Sequence, residues 1–129
     1  MAKAKNLKEF LSANPVDRTA KTVRLEGGRL EDFDFVIKPL TTQEFRNISK
    51  EVESYNGEPY DITLKTVLAG VIEPDFRDSE WIKETGLDTP IQLIEHTLTV
   101  AEINGLGEAI LDISGILPNF EVAYKNAKN

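Results

Sequence analysis

The side chains best equipped for chemistry are few. His96 is the single histidine and cysteine is absent, so neither a thiolate nucleophile nor a converging set of His and Cys ligands for zinc can be assembled. A Ser–His–Asp arrangement needs a histidine oriented by a carboxylate. His96 lies in a helical pattern with no His-Glu-x-x-His neighbourhood, and reads as a surface or boundary residue. Gly105 and Gly107 also fall inside a helical pattern, without the later glycine of a dinucleotide loop, and no Gly-x-x-x-x-Gly-Lys-Ser/Thr phosphate cradle occurs. Close helix packing or simple tolerance explains these glycines better. Glu73, Asp75, Asp78 and Glu80 gather around Pro74, but without the alternating oxygens, central glycine and final glutamate of a calcium loop. Nothing in the sequence fixes the carboxylate separation that glycoside hydrolysis would need. These acids read as solvated, with Asp78 capping a helix. No catalytic, cofactor-binding or metal-binding residue is assigned, and no cofactor is expected.

The aromatic residues say more. Phe76 and Trp81 stand in the acidic segment, and Phe120 and Tyr124 are four apart near the C-terminal end, a spacing that puts them on one face of a helix. Large aromatic side chains dominate burial, so one reading is that they cover the core. The other is an apolar surface that holds a partner helix or an exposed hydrophobic segment, kept in solution by an acidic rim. Phe76, Trp81, Phe120 and Tyr124 are the candidate partner-binding residues.

The elements that must position them follow from periodicity and caps. Leu7, Phe10 and Leu11 suit one or two helical turns, stopped at Asn14-Pro15 because proline disfavours helix in the residue before it. Val23 and Leu25, a turn at Gly27-Gly28, then Phe33, Phe35 and Ile37 alternate as a β-hairpin. A lone hairpin is barely stable, so its apolar face must lie on the helices that follow. Thr41-Thr42-Gln43-Glu44 forms a capping box, with Leu40 and Phe45 as a hydrophobic staple. Phe45, Ile48 and Val52 continue that helix, and Gly57 and Pro59 break the chain. Asp61 is the expected cap of a second helix carrying Leu64, Val67, Leu68 and Val71, ended by Pro74. A short helix over 79–85 is capped by Asp78 and closed by Gly86. Thr89 and Pro90 open the next, with Ile91, Ile94 and Leu98 as its stripe. Thr99 and Glu102 cap a longer one lined by Val100, Ile103, Leu106, Ile110 and Ile113 and closed by Gly115.

The expected fold is therefore α+β and mainly α: an N-terminal β-hairpin packed on four or five short helices. The 129 residues amount to one domain, enough to bury roughly two-thirds of the unfolded surface. Residues 1–18 are expected as a flexible basic segment and residues 116–129 as a frayed end. No apolar run approaches the roughly 20 residues of a membrane span, and the lysines of the first eight residues precede no apolar stretch of a secretory signal. With cysteine absent, the chain reads as cytoplasmic. Its charge of −7 is uneven: residues 1–24 carry six basic side chains against Glu9 and Asp17, whereas the other 105 carry 9 basic and 20 acidic groups. An acidic body repels the phosphates that nucleic-acid binding must neutralise, so no nucleic-acid partner is expected.

In order along the chain, Leu40-Thr41-Thr42-Gln43-Glu44-Phe45, Val71-Ile72-Glu73-Pro74-Asp75-Phe76, Gly86 and Pro90, Glu102-Ile103 and Ser114-Gly115 resemble a phage tail assembly chaperone of the XkdN-like family, found in phages and defective prophages of Gram-positive bacteria. The resemblance spans about residues 33–115. It implies a non-catalytic protein of the host bacterial cytoplasm that coats the tape measure protein, helps recruit tail tube protein, forms a homo-oligomer if several copies act together, and is missing from the mature virion. It transfers no catalytic residue. The alternative is a structural tail or head–tail connector protein of the particle.

Overall fold

The computed structural model describes residues 6–116; Phe120 and Tyr124 lie outside the described residues. Six helices and three strands follow one another as α1 (Leu7–Ala13), β1 (Lys21–Val23), β2 (Phe35–Ile37), α2 (Thr42–Ser54), α3 (Pro59–Gly70), β3 (Val71–Glu73), α4 (Ser79–Glu84), α5 (Pro90–Thr97) and α6 (Val100–Ile113) among the described residues. The fold is α+β and mainly α, with the hairpin lying on the helices.

Local chemistry explains most boundaries. Thr41, Thr89 and Thr99 each accept a hydrogen bond from the N3 amide, and the side chains of Glu44, Gln92 and Glu102 each accept one from the cap amide. Each box satisfies two amides that a helix start otherwise leaves orphaned. Asp78 caps α4, accepting from the Glu80 and Trp81 amides. Gly86 and Gly115 close α4 and α6 at φ +77° and +74°, the left-handed region that glycine enters without penalty.

The second long helix starts differently from the expectation. Pro59 does not break the chain there but opens α3 at its first turn, where a missing N–H costs nothing, and Glu58 is the cap. Asp61, expected as the cap, instead reaches back as the third helical residue to accept from the Glu58 amide at 2.8 Å. That helix also ends early. Val71, expected on its apolar stripe, leaves the helical region (ψ 119°) and begins β3.

β1 and β2 pair antiparallel with Lys21 opposite Ile37 and Val23 opposite Phe35; β3 joins the other edge of β2, with Val71 opposite Ile37. A third strand thus completes the expected hairpin into a sheet ordered β1-β2-β3, which gives the hairpin the support it could not supply alone. The connection is also longer than a glycine turn. Residues 24–34 form an extended loop between the strands, and Phe33, expected inside the second strand, stands 62% exposed within it.

Phe35 and Ile37 of the sheet meet Leu64 and Val67 of α3, Leu93 and Ile94 of α5, and Ile103, Leu106 and Ile110 of α6 in one buried cluster. α3 and α6 form the closest helix pair. A β-carbon at Gly70 would stand 2.7 Å from Ile110, and one at Gly107 2.9 Å from Thr63 Cγ2. Of close packing and simple tolerance, Gly107 shows the first. Val100, expected on the α6 stripe, is instead 60% exposed at its first turn. α1 lies outside this core altogether: none of its residues is buried.

Candidate functional site

Phe76 and Trp81 come together. The Asp78 carboxylate accepts from the Trp81 amide at 3.4 Å and the Glu80 amide at 3.0 Å, which starts α4 where Trp81 falls back over Phe76. The two rings stack with centroids 5.5 Å apart and planes 21° from parallel, an offset-stacking distance at which aromatic pairs attract. Phe76 is buried and Trp81 half-buried.

These rings form one side of an apolar groove of about 410 Å³. Leu30, Phe33 and Phe35 form the side contributed by the hairpin, and Leu98 closes the end at the α5–α6 corner. That volume lies in the range of clefts that hold ligands, roughly 300–1,000 Å³. Two acids, Asp34 and Glu73, also line it. The segments that build the two walls, residues 30–35 and 73–81, carry seven carboxylates against Arg77 alone. Apolar walls with an acidic surround select an apolar, basic-flanked polypeptide segment over an anion. A second cleft of about 440 Å³ shares Phe76 and is lined by Leu68, Ala69, Val71 and Ile72 together with Lys38, Glu44, Asp75 and Arg77, so charges of both signs interrupt its apolar lining.

One fastening sets the hairpin wall in place. The Arg29 guanidinium donates to both oxygens of Glu102, at 3.0 and 2.8 Å, and to the Thr97 carbonyl at 2.8 Å. The extended loop is thereby tied to the α5–α6 corner, immediately beside Leu30 on one side and Leu98 on the other. Glu102 meanwhile accepts from the Thr99 amide at 2.9 Å. The Arg29 hydrogen bond, with a smaller contribution from the Thr99 amide, holds the Glu102 carboxyl below its ordinary value. Arg24 pairs with Asp34 across the base of the same loop.

The sequence points to Phe76 and Trp81 but not to Leu30, Phe33, Leu98 or the Arg29 fork. The bond from Arg29 to Glu102 joins residues 73 apart, and neither partner has a local signal for it; Glu102 is legible only as a cap. His96 is exposed, as expected of a surface histidine. Glu73, Asp75, Asp78 and Glu80 do not converge: Asp78 serves α4, and Asp75 accepts from the Arg77 amide at 2.9 Å. Among the described residues no three His, Asp or Glu side chains stand where they could hold a metal ion, and no helix is long and apolar enough to cross a membrane.

Together these features define a small helical scaffold protein with an apolar surface groove beside a three-stranded sheet. The chain belongs to the phage XkdN-like tail assembly chaperone protein family (TAC), whose sequence profile matches residues 7–128. A solved structure, the crystal structure of the protein YqbN, has the same fold: the TM-score is 0.64 over 88% of this chain and 98% of that one, at 18% identity. At that identity the likeness is one of fold alone. No curated protein matches the chain.

Proposed function

We propose that the protein is a non-catalytic chaperone that shields apolar helical stretches of the phage tape measure protein in the host cytoplasm while the tail tube is assembled, and that it leaves before the particle is complete. The observation that carries this reading is the groove of Leu30, Phe33, Phe35, Phe76, Trp81 and Leu98 within an acidic surround, in a chain of the tail assembly chaperone family. Apolar walls bind an amphipathic helix by its i, i+3 and i+4 anchors. The carboxylates around them keep the loaded complex charged and dispersed. Several copies on one long client act together through effective concentration, so modest individual contacts suffice. Within this reading Phe76, Trp81, Phe120 and Tyr124 are the partner-binding residues, of which Phe76 and Trp81 line the groove. The tail tube protein is the second partner, recruited to the coated client.

Co-expression tests this directly. With the chain present, the tape measure protein is expected in the soluble fraction and on the same affinity column. Two proteins that neither co-purify nor alter each other's solubility would contradict the proposal. A connector protein would instead persist in purified particles, where mass spectrometry would detect it.

A further inference from the structure

We infer that α1 of one copy seats its apolar face in the groove of a second copy, linking chains head to tail. This contact goes beyond the chaperone reading and does not depend on a tape measure client. α1 presents Leu7 at 70%, Phe10 at 50% and Leu11 at 58% exposure. Their i, i+3, i+4 spacing places all three on one face. A seven-residue helix capped by Asn6 and Asn14 is far below the length at which an isolated helix is stable in water. Its apolar face therefore needs a covering surface, and its own molecule supplies none, since no α1 residue is buried.

The groove has the complementary character. Its walls are apolar and its upper lip, Phe33, is itself exposed. Charge favours the same match. Residues 1–13 carry Lys3, Lys5 and Lys8 against Glu9, whereas the wall segments 30–35 and 73–81 carry seven carboxylates against Arg77. Opposite potentials steer the encounter and fix the sense of docking. The arm is not seated in its own groove: residues 14–20 lead from it to Lys21 at the start of β1, and no α1 residue is buried. α1 and the groove are built from different residues, so one arm in one groove is a heterologous contact that leaves a free arm and a free groove for further copies.

Sedimentation velocity of the full chain at low salt tests the linkage. The weight-average sedimentation coefficient is expected to rise with concentration without levelling at a dimer. Phe10→Asp removes the helix anchor and Phe33→Asp the groove lip. Each is expected to raise the self-dissociation constant at least about tenfold, the loss of one well-seated apolar anchor. Both residues are exposed, so far-UV circular dichroism should match the parent chain. The decisive arm is the mixture. Phe10→Asp keeps a working groove and Phe33→Asp keeps a working helix, so together they are expected to form a one-to-one pair that grows no further. A parent chain that stays monomeric at every concentration, including one whose arm folds onto its own groove, overturns the inference. So does continued association by either variant, or a mixture that remains monomeric. Phe10→Asp leaves the groove intact, so its capacity to hold a tape measure client reports on the chaperone reading separately.

Discussion

Arg29 ties the hairpin wall of the groove to the α5–α6 corner. Its planar fork reaches two Glu102 oxygens and the Thr97 carbonyl at once. A lysine ammonium is a point charge and cannot reproduce that geometry. Arg29 is half exposed while Glu102 is largely covered. An exposed ion pair contributes little to global stability, about 0.2–1 kcal/mol. Arg29→Ala is therefore expected to lower unfolding free energy in urea by no more than about 1 kcal/mol. In contrast, amide exchange across residues 24–34 is expected to accelerate, and Arg29→Lys to behave like Arg29→Ala. A lysine variant with parental exchange in that loop would show that the fork does not fasten the wall. Phe76 and Trp81 are legible as candidates from their type and their place in the acidic segment. Leu30 and Phe33 are not, since their partners across the groove stand tens of residues away and Phe33 alternates with Phe35 and Ile37 as a strand would.

Capping chemistry explains why the helices were readable in advance. Each box is written in four consecutive residues, so α2, α5 and α6 begin where Thr41, Thr89 and Thr99 say they should. β3 had no such signature. Leu64, Val67, Leu68 and Val71 fit a helical stripe, and only pairing of Val71 with Ile37 across the sheet turns the last of them into a strand residue. Long-range contact overrode local periodicity there. The same caps give the fold a pH dependence. Glu44 is held below its ordinary value chiefly by the Thr41 amide, and Glu102 chiefly by Arg29. Carboxyls with depressed folded values stabilise the fold fully above their unfolded value of about 4.5. That contribution is lost as pH falls through the lower folded values, when the native state must take up protons. Thermal midpoints are expected to be flat above pH 5 on this account and to fall below about pH 4.5. Glu102→Gln should flatten part of the acid limb; an unchanged acid limb would remove Glu102 from the explanation.

At the scale of the whole molecule, a rigid core of sheet and helices carries two unlike surfaces. One is the exposed apolar face of α1 in a net basic stretch, and the other is the groove between hairpin and α4 in an acidic one. The groove joins the core residues Phe35 and Phe76 to the more exposed Leu30, Phe33, Trp81 and Leu98, while Ile37, Leu93, Ile94 and Leu106 hold the fold without lining it. Trp81 is the single tryptophan and stands in the groove wall, so its fluorescence reports occupancy without any label. The most direct measurement is a titration of the full chain with peptides from the apolar helical segments of the tape measure protein, followed by Trp81 emission. A saturable shift to shorter wavelength, abolished by Phe33→Asp, is the predicted result. Binding detected by calorimetry with Trp81 emission unchanged would place the client elsewhere and contradict the groove as its site.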